Sequence, residues 1–242
     1  RRQRQMCIRD SLGTFAEYCV VPSQSAVTVS ADIPADRACL IGCGVMTGVG
    51  GAKNVAEVPW GASVLVLGCG AIGLSAIQGA RVCGARTILA VDVDGAKLEL
   101  ARSVGATDVC NASESDPVEL IKHLTEGRGA DCVLECAGRA DAFRMAVEGA
   151  RPGGRVVWLG KVDVNDEVSF RWGSLMGERQ IVRSSYGAAR PHRDFPDIAE
   201  AYLRGELKLD EMVTARIALE EINDGFDALR AGKAIRTVIE FP

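Results

Sequence analysis

Residues 63–92 read SVLVLGCGAIGLSAIQGARVCGARTILAVD, and the order of elements in this stretch decides the fold. The apolar run 64–67 has the composition of a buried strand, and Gly68, Gly70 and Gly73 follow it at G-x-G-x-x-G spacing. Residues 74–82 form an apolar helical stretch. A second strand over 87–91 then ends on Asp92, about 20 residues past the glycines, where a dinucleotide-binding unit places its acid. A lone glycine triplet would be weak in a chain with 27 glycines; the strand–turn–helix–strand–acid context makes this one specific. Gly68 permits the tight turn, Gly70 lets the backbone approach a pyrophosphate, and Gly73 lets helix and strand pack closely. The free N–H groups at the helix start complete a phosphate cradle.

Asp92 also bears on cofactor choice. A carboxylate at that strand end accepts hydrogen bonds from the ribose hydroxyls of NAD and repels a 2′-phosphate, which favours arginine. Val93, Asp94 and Gly95 follow, without a base among them, so NAD is expected over NADP. Lys97 is a candidate for the adenosine ribose; it reads equally as a solvated helix residue.

Beyond Asp92 the alternation continues. Helices are expected over 97–104, 117–125 and 140–150, with Pro117 at the first helical position. Strands are expected over 108–110, 131–136, 155–159 and 180–184, with a turn at Pro152-Gly153-Gly154. Such spacing implies an α/β fold with a doubly wound parallel sheet. The dinucleotide-binding (Rossmann) domain is expected over 47–186. The flanks differ: a strand over 14–21 and a short helix precede it, and helices over 195–203 and 219–231 and a strand over 237–241 follow it. These flanks, 12–46 and 187–242, are expected to pack together as the remnant of a second domain.

Apolar residues make up 48% and charged residues 25% of the 242, an ordinary globular composition. The net charge of −4 argues against a nucleic-acid or anionic-membrane partner, and no apolar run reaches the roughly 18 residues of a membrane span. Nine cysteines occur without a C-x-x-C pair, and several lie in apolar strand-like runs, which suggests free thiols and a cytoplasmic setting. The opening RRQRQMCIRD back-translates, codon for codon, to a common transposase-based sequencing adapter. Residues 1–11 are therefore set aside as non-native, Cys7 with them, and the chain is expected to be truncated at its start.

With these features in place, the chain resembles the zinc-dependent medium-chain alcohol dehydrogenases over nearly all of residues 12–242. The resemblance rests on GTFAEYCVVP (13–22), CLIGCGVMTGVGGA (39–52), the glycine loop with Asp92, CAGR (136–139) and INDGFDALRAGKAIRTVIEF (222–241). It implies that the flanks belong to a β-rich GroES-like catalytic domain. It also implies that Cys43 is one protein ligand of a catalytic zinc, whose Cys₂His set is the standard description of alcohol dehydrogenases. The partner ligands, any structural-zinc cysteines and the proton-relay residues would lie upstream. His123 and His192, the only histidines, receive no metal role. For NAD, the resemblance adds Thr47 and Ile72 near the nicotinamide and pyrophosphate, and Cys136, Ala137 and Arg139 under the riboses. It adds Leu159, Gly160 and Lys161 at the carboxamide and Arg236 on the pyrophosphate, while Lys161 and Ser185 suggest a more polar pocket.

The resemblance implies reversible, NAD-dependent, zinc-assisted oxidation of an alcohol to an aldehyde or ketone by the intact parent, with the present chain binding NAD without turnover. Two other readings stay open: a zinc-free quinone reductase of the same superfamily, and a non-catalytic dinucleotide-binding module. A strand over 167–170 is expected to form a dimer edge in a homodimer or homotetramer.

Overall fold

The computed structural model describes residues 14–241. The expectations for residues 1–11, including Cys7, fall outside them.

Six parallel strands form the central sheet in the order β3-β2-β1-β4-β5-β6, the doubly wound order of dinucleotide-binding domains. They are β1 (Ser63–Leu67), β2 (Thr87–Asp92), β3 (Asp108–Asn111), β4 (Ala130–Glu135), β5 (Ala150–Trp158) and β6 (Gln180–Arg183). Every residue of β1 is buried, which is why its sequence lacks the alternation of a half-exposed strand. Its side chains still alternate in direction. Val64 and Val66 join Leu134 and Val157 on one face, whereas Leu65 and Leu67 join Leu89, Val91 and Val133 on the other.

Helices cover both faces. Those preceding and within the sheet are α1 (Ala35–Leu40), α2 (Met46–Gly50), α3 (Ala71–Val82), α4 (Gly95–Val104), α5 (Pro117–Leu124) and α6 (Ala140–Gly149). Asp94 and Asp116 cap α4 and α5 by accepting from backbone N–H groups of the first turn, and Pro117 opens α5 as expected. Two π-helical turns, Ile41–Val45 and Gly51–Val55, flank α2. Beyond the sheet lie α7 (Pro191–Leu203), β7 (Val213–Ile217), α8 (Ile222–Arg230) and β8 (Arg236–Ile239).

Four expectations change. Residues 14–21 form no strand: Tyr18 and Val20 are exposed, and no neighbouring strand among the described residues offers this segment a ladder. The turn at Pro152-Gly153-Gly154 lies inside β5 as a bulge, where the register jumps from Ala130↔Ala150 to Cys132↔Arg155. The C-terminal strand has an unforeseen parallel partner, β7. Residues 167–170 form no strand in the single chain; Phe170 instead stacks on Trp158 at 5.8 Å.

The flanks do meet. Arg216 reaches Asp36 at 2.8 Å, Arg37 pairs with Asp210, and Phe15 packs edge-on against Phe226 at 6.0 Å.

Candidate functional site: a dinucleotide cleft

The C-terminal ends of β1, β2 and β4 come together at the sheet position where strand order reverses, the place where open α/β sheets bind ligands. The chain leaves β1 through Gly68, held at φ +90° with its N–H donating to Val91 O at 2.7 Å. A side chain at Gly73 would collide with the Gly68 carbonyl, so the first turn of α3 can lie on the strand end only with glycine there. A side chain at Gly70, by contrast, would meet nothing within 4 Å, and this face of the turn is open to a ligand.

Asp92 is fixed against this turn. Its Oδ2 accepts from Cys69 N at 2.7 Å, and its Oδ1 accepts from Val93 N at 2.8 Å and Asp94 N at 3.1 Å. The carboxylate is thus oriented by backbone before any ribose arrives. Asp92, Gly68, Ala137 and Arg139 line a cavity of about 330 Å³, together with Val93 and Ala112. Arg139 is exposed and forms a two-point pair with Asp141 at 3.0 and 2.9 Å, which raises its affinity for its proton further. Asp141 lines the same cavity and escaped the sequence reading, because an acid in the first turn of a helix reads as a solvated residue.

The remaining expected residues lie outside this cavity. Ile72 is half-buried in the first turn of α3, and Lys97 is half-buried on α4, its charge felt at the Cys69 thiol and its Nζ close to Gly232. Burial drives that thiol strongly upward, as it does the Cys136 thiol, which suits inert packing cysteines. Thr47 is buried in α2. Leu159 and Gly160 are buried just past β5, while Lys161 and Ser185 are exposed.

Arg236 opens β8 and lies against the π-helical turn, where a side chain at Gly44 would collide with its guanidinium. Both Cys39 and Cys43 lie within electrostatic reach of it. Burial lowers its proton affinity, and it forms no ion pair among the described residues. A desolvated guanidinium without an acid partner suits a phosphate.

Cys43 is exposed within the π-helical turn Ile41–Val45, unlike a packing cysteine. Tyr186, past β6, donates its hydroxyl to Gly42 O and so ties this turn to the sheet. Local widening of this kind recurs at functional sites. Among the described residues, however, no three His, Cys, Asp or Glu side chains gather as a metal group, and His123 and His192 are both exposed. The described donors do not fit a zinc ion, since one thiolate is not a four-ligand set.

Residues 71–204 match the family model described as zinc-binding dehydrogenase. The chain is 37% identical over 235 residues to alcohol dehydrogenase-like 6 of Arabidopsis thaliana, covering 96% of itself and 61% of that protein. It is 39% identical over 230 residues to an S-(hydroxymethyl)glutathione dehydrogenase of Escherichia coli, covering 94% and 62%. Benzyl alcohol dehydrogenase from Acinetobacter calcoaceticus superposes with a TM-score of 0.85 at 31% identity, over 89% of this chain and 59% of that one. The fold, the cleft and this match together define a medium-chain dehydrogenase. The chain belongs to the zinc-binding dehydrogenase family of alcohol dehydrogenases, and spans about three-fifths of the length of these relatives.

Proposed function

We propose that this chain holds NAD(H) in the cleft at the C-terminal ends of β1, β2 and β4, for a protein that oxidises a small alcohol to an aldehyde or ketone and runs in reverse. The observation that carries the reading is the oriented Asp92 carboxylate facing the cavity beside the open glycine turn. Gly68, Gly70, Gly73 and the start of α3 would take the pyrophosphate, with Arg236 neutralising it. Asp92 would take the adenosine ribose hydroxyls, with Lys97 and Arg139 beside it. Cys136, Ala137, Leu159, Gly160 and Lys161 would face the nicotinamide half, and Thr47 and Ile72 would line its approach. Bound NAD supplies the hydride acceptor, and the protein's part is placement and exclusion of water. Fluorescence titration with NADH and NADPH tests the reading: NADH should bind more tightly, and equal dissociation constants would refute the role of Asp92.

Cys43 is proposed as one ligand of a catalytic zinc in the whole protein. The described residues do not complete that site, so the chain by itself should bind dinucleotide without alcohol turnover. Purified chain should carry far less than one zinc; stoichiometric zinc lost on Cys43→Ala would overturn this. Residues 47–186 would be the cofactor unit, and 12–46 with 187–242 parts of the catalytic domain. Among the described residues no helix is long and apolar enough to cross a membrane, and a cytoplasmic setting is proposed.

Assembly is proposed through the free edge of β6, near which Val164, Trp172 and Met176 are exposed. Residues 167–170 would become a strand only on pairing with a second copy, which removes an open edge. Val168→Pro should abolish self-association in sedimentation while leaving NADH binding intact, and a monomeric parent protein at high concentration would end the idea.

A further inference from the structure

Glu135 ends β4, the strand beside β1, and is fully buried. The cofactor reading gives it no role, yet burying a carboxyl group is costly unless its atoms are engaged. Its backbone carbonyl accepts from Leu159 N at 2.8 Å and from Gly160 N at 2.9 Å. Its side-chain Oε1 accepts from Gly138 N at 2.7 Å. The N–H groups of Ala137, Gly160 and Arg139 also face the carboxyl group, but Oε2 completes no hydrogen bond among the described residues. Gly160 is packed so tightly on this carboxyl group that a side chain there would collide with Oε2 and with Gly138 N. Gly138, at φ +69°, is in turn pressed on Lys161, whose N would lie 2.9 Å from an added β-carbon. One residue therefore joins two loops, 136–139 and 159–161, that otherwise come from different crossovers of the sheet. Burial raises the proton affinity of the carboxyl group, against the backbone N–H groups that lower it.

We propose that Glu135 is the positioning residue for the nicotinamide half of the cofactor, its side chain holding loop 136–139 and its carbonyl holding loop 159–161 at one fixed separation. This rests on the dinucleotide reading above. It assigns Glu135 no contact with the reacting atoms. The adenosine half is anchored by Asp92 and the glycine turn, on the other side of β1 from β4, and of loop 136–139 Ala137 and Arg139 also line that cavity.

The reach of the side chain can be separated from its charge. Glu135→Asp keeps the acid but withdraws it by one carbon–carbon bond from Gly138 N. Glu135→Gln keeps the reach and an accepting Oε1. Titration with NADH, which spans both halves, is compared with titration by ADP, which reports the adenosine half and the fold. Glu135→Asp should weaken NADH by about tenfold, the loss of one charge-assisted hydrogen bond, and change ADP by less than about twofold. Glu135→Gln should weaken NADH by no more than about threefold. Equal losses for NADH and ADP in the Asp variant, unchanged NADH binding in it, or a Gln variant as weak as the Asp variant would each overturn the proposal. An unmutated chain that binds neither ligand would overturn the dinucleotide reading itself; one that binds both, with variants that do not discriminate, removes only the role of Glu135.

Discussion

Strand β1 is apolar nearly throughout and helix α8 carries an apolar stripe, and they end in opposite surroundings. All of β1 is buried between two helical layers. Helix α8 places Ile222, Phe226 and Leu229 on one stripe, yet none of its residues is buried, and Phe226 and Leu229 remain 40% and 51% exposed. The difference lies in what stands opposite. Two parallel neighbours, β2 and β4, flank β1, and the crossover helices cover it within a continuous stretch of sequence. Helix α8 meets mainly the turn before it, the small two-stranded sheet at Ile217 and Thr237, and Phe15, and these leave its stripe open. A pattern identifies an element; burial depends on the surface that covers it.

The sharpest way to break this comparison is to truncate one side chain in each region. Leu65→Ala removes a fully buried side chain from the sheet core and should cost about 2–5 kcal/mol, read from the urea midpoint. Leu229→Ala should change stability by less than about 0.5 kcal/mol. Similar losses would mean that α8 is covered in solution.

The sheet was legible for the same reason. Its strands are short apolar runs separated by glycine and capping residues, and βαβ connectivity leaves few topologies. Where ladder partners are remote, composition misled. Residues 14–21 carry aromatic and β-branched side chains but find no ladder partner among the described residues, whereas Val213–Ile217 forms a strand because β8 lies beside it. In the site, glycine spacing and a strand-end acid carry their meaning locally, so Gly68, Gly73 and Asp92 were readable. Glu135 was not, because its sequence looks like an ordinary strand end; its role arises from loop 159–161 arriving two elements later.

Asp92 sharpens the comparison from the side of the site. Asp92→Ala should reduce the preference for NADH over NADPH by about 1–3 kcal/mol, through unpaired ribose hydroxyls. It should also loosen the glycine turn, since three backbone N–H groups lose their acceptor. Unchanged discrimination would place the adenosine ribose elsewhere.

Asp131 offers a test by pH. Burial would raise its pKa, but Ser63 N and Oγ at 2.8 and 2.7 Å and Arg151 at 2.6 Å outweigh that and hold it below the usual carboxylate range. With the folded pKa depressed, the stabilisation is present above the unfolded value of about 4 and disappears as pH falls through the folded value. Asp131→Asn should therefore cost about 1–2 kcal/mol at pH 7 and progressively less below about pH 4, by denaturation across that range. A pH-independent cost would mean that packing, rather than charge, holds the start of β1 to β4.

The smallest effect concerns the flanks. Phe15 and Phe226 approach at 6.0 Å with perpendicular rings, the geometry in which a ring edge meets a neighbouring face. Both rings are well exposed, so most of their surface stays in water whether or not they touch. A buried pair of this kind is worth about 0.5–1.5 kcal/mol beyond its area, and exposure places this one at the lower end. A double-mutant cycle with Phe15→Ala and Phe226→Ala should give a coupling near 0.5 kcal/mol, while each single change costs little. Zero coupling would mean that residues 14–21 do not rest on α8, and that the two flanks join instead through contacts such as the Asp36, Arg37, Asp210 and Arg216 ion pairs and Arg236 on Gly44. A coupling well above 1 kcal/mol would require both rings to be shielded from water, and would remove the contrast between α8 and the sheet core.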